Sequence, residues 1–425
     1  MLIHTVQPGD SIYLIARRYG VSPQRLLNDN AIVNPQRLMI GQAIVVPVTS
    51  VRHTVAAGET LSSISRRYGV PVSEIVAANP AITNPNVIRA GQVITIPFPD
   101  EKLGSIYVNG YVFPGISTQT LARTLPNLTF ISIFSYQVRT DGSLSSLNDQ
   151  AIINAARAAN VAPLMVITNI REGGGFSSDI AHAVLTNQTA QNNLINAILE
   201  ILPKGYYGIN VDFEYIYPYD RESYNQFITR LTQIVKAQGY IIVTSLAPKT
   251  SATQPGTLYE AHDYPVHGET VDFVILMTYE WGYTYGPAQA VAPLREVRRV
   301  LDYAVTAIPN EKILMGIPNY GYDWTLPFVQ GSAAKVLSNT AAANLASEVG
   351  AQIFFDEAAQ SPYFNYYDSS GRQHVVWFED ARSIRSKLYV VDEYNLAGVS
   401  YWTLNNYFPQ NWIVLNSMFN VIKVL

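Results

Sequence analysis

Three polar side chains alternate with apolar ones in the segment "YYGINVDFEYIYPYD", residues 206–220. Asn210, Asp212 and Glu214 share one face if the segment is a β-strand, because side chains alternate across a strand with a period of two. Two carboxyl groups about 6.6 Å apart along such a strand can raise one pKa, so that one of them can protonate a leaving group near neutral pH. An edge strand with a wet polar face would show the same alternation, so both interpretations stay open at this point.

Other catalytic and ligand-binding signatures are weak in this sequence. The chain has no cysteine, which removes disulfides, thiolate metal sites and cysteine nucleophiles. His262 and His267 form a pair, but no HExxH motif accompanies them, so we predict no metal site and no cofactor. The segment "REGGGF" at 171–176 lacks the lysine of a phosphate-binding loop, and we interpret it as a loop beside the cleft.

Strand-like apolar runs alternate with segments of helical period over residues 104–425. We predict eight strands, at 106–112, 130–136, 162–169, 208–214, 240–247, 271–279, 312–320 and 396–404. This alternation indicates an α/β protein with a (β/α)8 TIM barrel, and near-continuous apolar strands suit a parallel sheet buried on both faces. A central barrel strand has no wet face, which weakens the edge-strand interpretation. Glu214, at the end of strand four, would then lie at the C-terminal rim, where barrel enzymes carry their active sites.

The interval between the seventh and eighth strands is too long for one helix and its loops. It is rich in Tyr, Phe and Asp, and its "HVVWF" at 374–378 has the pattern of a further strand. We therefore predict a small α+β insertion at about 321–390 that forms a wall of the substrate site.

Two copies of one unit occupy the first 98 residues. "HTVQPGDSIYLIARRYGV" from His4 aligns with "HTVAAGETLSSISRRYGV" from His53, and "GQAIVVP" aligns with "GQVITIP". Each copy predicts a small βααβ module, the first over 1–48 and the second over 51–98. The modules resemble LysM domains, which implies binding to glycans that contain N-acetylglucosamine, such as peptidoglycan and chitin. A small fold without a ligand is the alternative.

The strand-four segment resembles the DxxDxDxE signature of glycoside hydrolase family 18, the chitinases and endo-N-acetylglucosaminidases. Asp212 and Glu214 occupy the last two acidic positions, whereas Tyr207 and Asn210 replace the first two. The resemblance implies substrate-assisted, retaining hydrolysis. Glu214 would protonate the glycosidic oxygen, and Asp212 would orient the substrate's 2-acetamido group. Asn210 cannot store a proton as the family aspartate can, which would simplify the hydrogen-bond changes at Asp212.

Two further segments match the same family in register with the predicted strands. "LMTYEW" at 276–281 resembles its strand-six MxYD motif, with a glutamate in the place of the aspartate, and "SYWTLNN" at 400–406 resembles its strand-eight tryptophan segment. The resemblance implies that Tyr279 hydrogen-bonds the acetamido oxygen and that Trp402 stacks beneath the sugar. The predicted substrate-binding residues are Asn210, Met277, Glu280, Trp281, Tyr283, Trp324 and Trp402.

The whole arrangement resembles the spore cortex-lytic N-acetylglucosaminidases of endospore-forming bacteria. We expect a spore-associated monomer that acts on peptidoglycan or another N-acetylglucosamine polymer. We expect no nucleic-acid partner, because the net charge is only -4, and no membrane span or classical signal peptide. Two alternatives stay open: a chitinase with LysM chitin-binding modules, and a non-catalytic glycan-binding protein, against which the retention of Asp212 and Glu214 argues.

Overall fold

The computed structural model describes residues 1–98 and 102–425, which form two small N-terminal modules, a barrel and an insertion. The strands are β1 (Leu2–Thr5), β2 (Ala43–Val46), β3 (Ser50–Thr54), β4 (Val93–Pro97), β5 (Gly104–Val112), β6 (Phe130–Gln137), β7 (Ala162–Thr168), β8 (Gly208–Asp212), β9 (Ile241–Leu246), β10 (Phe273–Leu276), β11 (Ile313–Pro318), β12 (Gly321–Leu326), β13 (Lys335–Leu337), β14 (Phe354–Asp356), β15 (Ser361–Tyr367), β16 (Gln373–Trp377), β17 (Gly398–Trp402) and β18 (Phe419–Val421).

Helices cover the outside of the barrel and complete the modules and the insertion. The α-helices are α1 (Ile12–Tyr19), α2 (Pro23–Asp29), α3 (Leu61–Tyr68), α4 (Val72–Ala77), α5 (Thr118–Thr124), α6 (Gln150–Ala158), α7 (Ser178–Thr186), α8 (Gln188–Ile201), α9 (Arg221–Ala237), α10 (Tyr264–Thr270), α11 (Leu294–Ala304), α12 (Asn339–Val349), α13 (Ala381–Glu393) and α14 (Pro409–Met418). Short 3-10 helices lie at Leu125–Asn127, Leu202–Lys204, Pro218–Asp220 and Asn310–Lys312. Within the described ranges, no helix is both long enough and apolar enough to cross a bilayer.

Eight parallel strands close the predicted TIM barrel. Strands β5 to β11 pair in chain order, β17 pairs with β11, and β17 also pairs with β5 to complete the ring. Every residue of β7 and β11 is buried, because barrel side chains fill one face of each strand and helices cover the other. The α/β fold class is confirmed, and the C-terminal ends of the eight strands meet at one rim.

Six of the eight barrel strands end earlier than the sequence pattern suggested, and at β8 and β10 the difference moves Glu214 and Tyr279 onto loops. Strand β8 stops at Asp212 and β10 at Leu276, so the predicted ends at residues 214 and 279 were wrong. Beyond β8, the Glu214 N–H bonds a side chain instead of a neighbouring strand. Beyond β10, the Tyr279 N–H turns back to the Met277 carbonyl. Apolar composition continues past both points, although the ladder of hydrogen bonds does not.

The insertion is an antiparallel sheet placed beside the barrel mouth. Its strands lie in the order β13-β12-β16-β15-β14, and α12 packs on one face. The "HVVWF" segment forms most of β16, as predicted. The other face carries Tyr322, Trp324 and Val375, and it packs toward Tyr279 and Trp402. The insertion therefore adds an apolar wall next to the rim.

The two N-terminal modules repeat one fold and one hydrogen-bonded triad. Each has an antiparallel strand pair, β1–β2 or β3–β4, with two helices between the strands. In module 1, which spans residues 1–48, the His4 imidazole bonds Asp10 at 2.8 Å and Tyr19 at 2.9 Å. In module 2, residues 50–98, the corresponding triad is His53, Glu59 and Tyr68. Each imidazole thereby ties its strand to the following turn and helix.

Module 1 is docked on the barrel helices and the insertion. The Gln410 Nε2 of α14 donates to Asn30 Oδ1 and to the Ala43 carbonyl, each at 2.9 Å. The Ile353 N–H of the insertion donates to the Ile40 carbonyl at 2.9 Å. Asn30 and its counterpart Asn79 in module 2 both bond carbonyls of their own module, and Asn30 accepts the bond from the barrel in addition. The two repeats therefore share a fold but not a packing environment.

Candidate active site

A cavity of about 550 Å³ opens at the C-terminal rim of the barrel. Most of the predicted site residues lie on its wall. They are Asp212, Glu214, Met277, Tyr279, Glu280, Trp281, Tyr283 and Trp402. Strand ends and the loops after them supply these side chains, because parallel strands present their carboxyl ends to the same edge.

Asp212 ends β8 and is almost completely buried, at 3% exposure. Its Oδ1 is buried and has no hydrogen-bond partner among the described residues. Burial raises the pKa of this carboxyl to about 7, because a charge is costly away from water. A buried acceptor without a partner is also costly, by about 1–3 kcal/mol. Asp212 thus presents to the cavity an oxygen that a donor on a bound molecule could satisfy.

Glu214 follows two residues later on the loop after β8. Burial raises the pKa of its carboxyl well above the usual range, and the negative charges of Asp212 and Glu280 raise it further. Two neighbouring carboxyl groups away from water cannot both ionise readily, so the pair retains a proton toward neutral pH. The arrangement can therefore supply a proton donor and a carboxylate in one cavity.

Tyr279 lies on the cavity wall, three residues past the end of β10. Burial raises the pKa of its phenol well above the usual value, so the hydroxyl remains a hydrogen-bond donor. Its ring passes close to β11, where a Cβ on Gly316 would lie 2.8 Å from Tyr279 Cε1. Glycine at this strand position therefore makes room for the tyrosine ring.

Trp402, at the end of β17, is held by three aromatic neighbours. The rings of Tyr111, Phe113 and Phe134 meet it edge-on, with centroids 5.1, 5.6 and 5.0 Å away. Edge-to-face packing of this kind fixes the orientation of the indole. Tyr111 and Phe134 also line the cavity and were missed by the sequence analysis. Their position at the ends of the first two predicted strands was the signal that could have found them.

Glu280, which stands in place of the family aspartate, is hydrogen-bonded by the segment that leads from β11 into the insertion. It accepts hydrogen bonds from the hydroxyls of Tyr320 and Tyr322. Burial raises the pKa of Glu280, and these two hydrogen bonds oppose that rise. Its backbone has a left-handed φ of +70°, an uncommon conformation for a residue with a side chain. Tyr320, a further cavity residue that the sequence analysis missed, is thus tied to the predicted site.

Two of the predicted substrate contacts are wrong. Asn210 has no exposed surface, and its amide bonds Tyr111 at 2.8 Å and Ser245 at 3.0 Å. It lies one layer below Asp212 in the barrel interior. Trp324 is 2% exposed, and its indole N–H donates to the Gly286 carbonyl at 2.9 Å. Its ring packs inside the insertion, so it does not contribute to the cavity wall.

The histidine pair holds the backbone near the site. His262 Nε2 bonds the Phe213 carbonyl at 2.9 Å, and its Nδ1 accepts from the Ala247 N–H at 2.8 Å. Burial lowers the pKa of His262 to about 4, so the ring is neutral. His267 bonds Thr244 instead. In the described parts of the chain, no group of three or more His, Cys, Asp or Glu residues could hold a metal ion.

The family models match both halves of this architecture. The model for glycosyl hydrolases family 18 matches residues 107–406, and the LysM domain model matches 4–47 and 53–97. The first match covers more than half of the chain. The chain belongs to glycosyl hydrolases family 18. It is a glycoside hydrolase with two glycan-binding LysM domains ahead of the family 18 barrel.

Several relatives share the complete length of this family 18 chain. The cortical fragment-lytic enzyme of Bacillus subtilis strain 168 is 42% identical over 100% of this chain and 99% of its own. The crystal structure of the Bacillus megaterium QM B1551 spore cortex-lytic enzyme SleL superposes with a TM-score of 0.87 at 38% identity, covering 100% of this chain and 99% of that one. A chitinase from Chromobacterium violaceum ATCC 12472 is 26% identical with a TM-score of 0.68, covering 73% of this chain and 98% of its own.

Proposed function

We propose that this family 18 enzyme is an N-acetylglucosaminidase that degrades spore cortex peptidoglycan during germination, by substrate-assisted, retaining hydrolysis. The observation that carries the proposal is the carboxyl pair on the cavity wall, in which buried Asp212 offers an unsatisfied oxygen and the raised pKa of Glu214 favours its protonated form. The names of the two full-length relatives, both cortex-lytic, support the choice of substrate.

The reaction begins when Glu214 donates its proton to the glycosidic oxygen. The carbonyl oxygen of the substrate's own 2-acetamido group attacks the anomeric carbon, the bond to the leaving sugar breaks, and an oxazolinium ion forms. Asp212 Oδ1 accepts the acetamide N–H and stabilises the positive charge. The Tyr279 hydroxyl donates to the acetamido oxygen. Trp402 offers its apolar face to the sugar ring. Water then attacks the anomeric carbon, returns a proton to Glu214 and restores the acetamide with retained configuration.

This mechanism selects which bond is cut. The sugar on the non-reducing side of the scissile bond must carry a free 2-acetamido group. Muramic acid carries one, but its lactyl substituent at O3 needs space beside the group that Asp212 and Tyr279 hold. Muramic lactam has lost the acetyl group and cannot assist. The products should therefore end in N-acetylglucosamine.

The two LysM modules favour a polymeric substrate. A module bound to peptidoglycan raises the local concentration of cleavable bonds at the barrel mouth. We infer that the protein acts as a monomer associated with the spore. The spore-related names of its full-length relatives support that association.

A direct test combines one variant with product analysis. Glu214→Gln removes the proton but keeps the shape, so it should lose at least 100-fold in kcat while still binding glycan. Digests of spore cortex by the unmodified enzyme, reduced with borohydride, should contain N-acetylglucosaminitol in the mass spectrum. Muramitol at the new ends, or full turnover by Glu214→Gln, would overturn the assignment.

A chitinase with LysM chitin-binding modules is the second candidate. The 26% identity to a chitinase across the barrel favours it. Both candidate enzymes use the same chemistry, so they are distinguished by the substrate on which kcat/KM is highest. Equal protein concentrations on cortex fragments, vegetative peptidoglycan and chitin should give the highest kcat/KM on cortex. A preference for chitin would select the alternative.

A further inference from the structure

One asparagine holds the main chain of Glu214 from both sides. Asn169 directly follows β7 and has no exposed surface. Its Oδ1 accepts the Glu214 N–H at 2.9 Å, and its Nδ2 donates to the Glu214 carbonyl at 2.7 Å. The same Nδ2 also donates to the Ser177 carbonyl at 3.1 Å. Both donors and the acceptor of the amide are thus used, so the side chain is fixed in one orientation.

Asparagines also hold the loop backbone at two other junctions of the rim. Asn319 directly follows β11 and donates to the carbonyls of Thr403 and Asn406, past the end of β17. Asn405 follows β17 and brackets the main chain of Phe113, past the end of β5, at 2.9 and 3.2 Å. In each case the asparagine lies beyond one strand and holds the chain beyond the next strand around the barrel. Where the ladder ends, its amide replaces the missing ladder partner.

The loop that carries Glu214 depends on such side-chain contacts. Tyr215, the next residue, has a left-handed φ of +54°, which is uncommon for a residue with a side chain. On the other flank, the Phe213 carbonyl bonds His262. The half-buried Glu214 carboxyl would gain by turning further toward water, where it could ionise. Main-chain contacts on both sides of Glu214 oppose that movement.

We propose that Asn169 is a positioning residue for the general acid: its amide holds the main chain of Glu214 so that the carboxyl group stays in the cavity. The inference rests on the role given to Glu214 in the proposed function. Asn169 acts through Glu214, because its three hydrogen bonds all go to main-chain atoms and its side chain is fully buried.

Loss of the hydrogen bonds between Asn169 and the main chain of Glu214 should change kcat more than KM. A displacement of the acid by about 1 Å can cost about 100-fold in rate, so we expect Asn169→Ala to lower kcat by about 10- to 100-fold. Trp402 and Tyr279, which contact the sugar, keep their positions, so KM should change less than threefold.

The pH profile separates positioning from general stability. Several ionisable groups raise the pKa of Glu214 or line the same cavity. They are Asp212, Glu280, Tyr111, Tyr215, Tyr259, Tyr279, Tyr283 and Tyr320. All of these are acids or phenols, so no described cation on the cavity wall competes for the carboxylate. A freed carboxyl that reaches water ionises more easily. The basic limb of kcat should therefore move to lower pH in Asn169→Ala.

Asn405→Ala is the matched control. It removes the two hydrogen bonds that Asn405 makes to the main chain of Phe113, a residue with no ionisable side chain. Soluble N-acetylglucosamine oligosaccharides are the substrate, and kcat, KM and the pH profile are measured for each full-length variant, with circular dichroism to confirm folding. Asn405→Ala should lose less thermal stability than Asn169→Ala, because its two hydrogen bonds are exposed, and it should leave the basic limb in place. Asn169→Ser, which keeps one hydroxyl for hydrogen bonding, should fall between wild type and Asn169→Ala in kcat.

Four results would decide between the proposal and its alternatives. An unchanged kcat and basic limb in folded Asn169→Ala would overturn it, as would an identical shift of the limb in Asn405→Ala. If Asn169→Ala does not fold, Asn169→Ser decides on the same two measurements. Full activity of Glu214→Gln would instead refute the proposed function, whatever the Asn169 variants do.

Discussion

Alanine at Gly41 and at Gly91 should have very different consequences, although the two glycines occupy the same turn of the two modules. Their φ angles are +83° and +84°. A Cβ at Gly91 meets no described atom within 4 Å, whereas a Cβ at Gly41 would lie 1.8 Å from the Ile353 carbonyl oxygen. Gly91→Ala therefore measures backbone strain alone, and Gly41→Ala adds the cost of separating module 1 from the insertion.

The two free-energy costs can be estimated from the contacts. A non-glycine residue in a left-handed conformation costs about 1–2 kcal/mol, and this applies to both variants. Relief of the clash at Gly41 also endangers three hydrogen bonds between module 1 and the insertion, which are Ile353–Ile40, Ser347–Arg37 and Arg37–Glu348. Each is worth about 1 kcal/mol net. We expect a loss of about 4–5 kcal/mol for Gly41→Ala against about 1–2 kcal/mol for Gly91→Ala.

Calorimetry of the two full-length variants beside wild type tests this difference, and limited proteolysis reports whether module 1 has been released. Gly41→Ala should unfold at a clearly lower temperature and should lose module 1 to protease first. Equal destabilisation by the two substitutions would show that the docked arrangement contributes nothing measurable, and the account of module 1 given above would then fail.

Three further predictions concern the catalytic site and the modules. Asp212→Asn and Tyr279→Phe should each lower kcat more than they raise KM, because their contacts tighten as the oxazolinium forms; a change in KM alone would contradict acetamide assistance. The raised pKa of Glu214 means that folding favours its protonated form, so that stability should fall as pH rises from about 4.5 through the folded-state pKa. Glu214→Gln should show a shallower decline in urea titrations at a series of pH values, because Asp212 and Glu280 keep their raised pKa values, and a parallel decline would contradict the pKa shift of Glu214. Removal of residues 1–98 should depress activity on insoluble sacculi far more than on short oligosaccharides. Because Gln410 loses its partners, we also expect a lower melting temperature, and an equal loss of activity on both substrates would contradict the expectation.

The barrel could be predicted from sequence because eight buried parallel strands leave eight separate apolar runs. The ends of those strands could not, since Glu214 and Tyr279 continue an apolar pattern after the ladder has stopped. Beyond the ladder, the Glu214 N–H bonds the side chain of Asn169, which lies 45 residues earlier in the chain.

The candidate site was partly predictable for a similar reason. Period-two alternation identified the face that Asn210, Asp212 and Glu214 share, but it carries no information on depth. Asn210 is therefore indistinguishable in sequence from a residue on the cavity wall, although it lies a layer below. Trp324 is visible as an aromatic residue after strand seven, yet the direction of its ring depends on how β12 folds back into the insertion. The docking of module 1 on the barrel could not be predicted from the repeat, because both modules have the same glycine at the turn, Gly41 and Gly91.

The order of the modules along the chain has a consequence for the covalent continuity of the protein. Module 1 comes first in sequence but packs on the barrel, and module 2 lies between these two packed parts. A protease that cut the chain just after module 2 would break a peptide bond without separating the pieces, because Gln410 and Ile353 would still hold module 1. We therefore expect the nicked protein to elute as one species from a sizing column and to divide into two fragments only in denaturant. Both sugar-binding modules would stay with the hydrolase after its backbone had been severed.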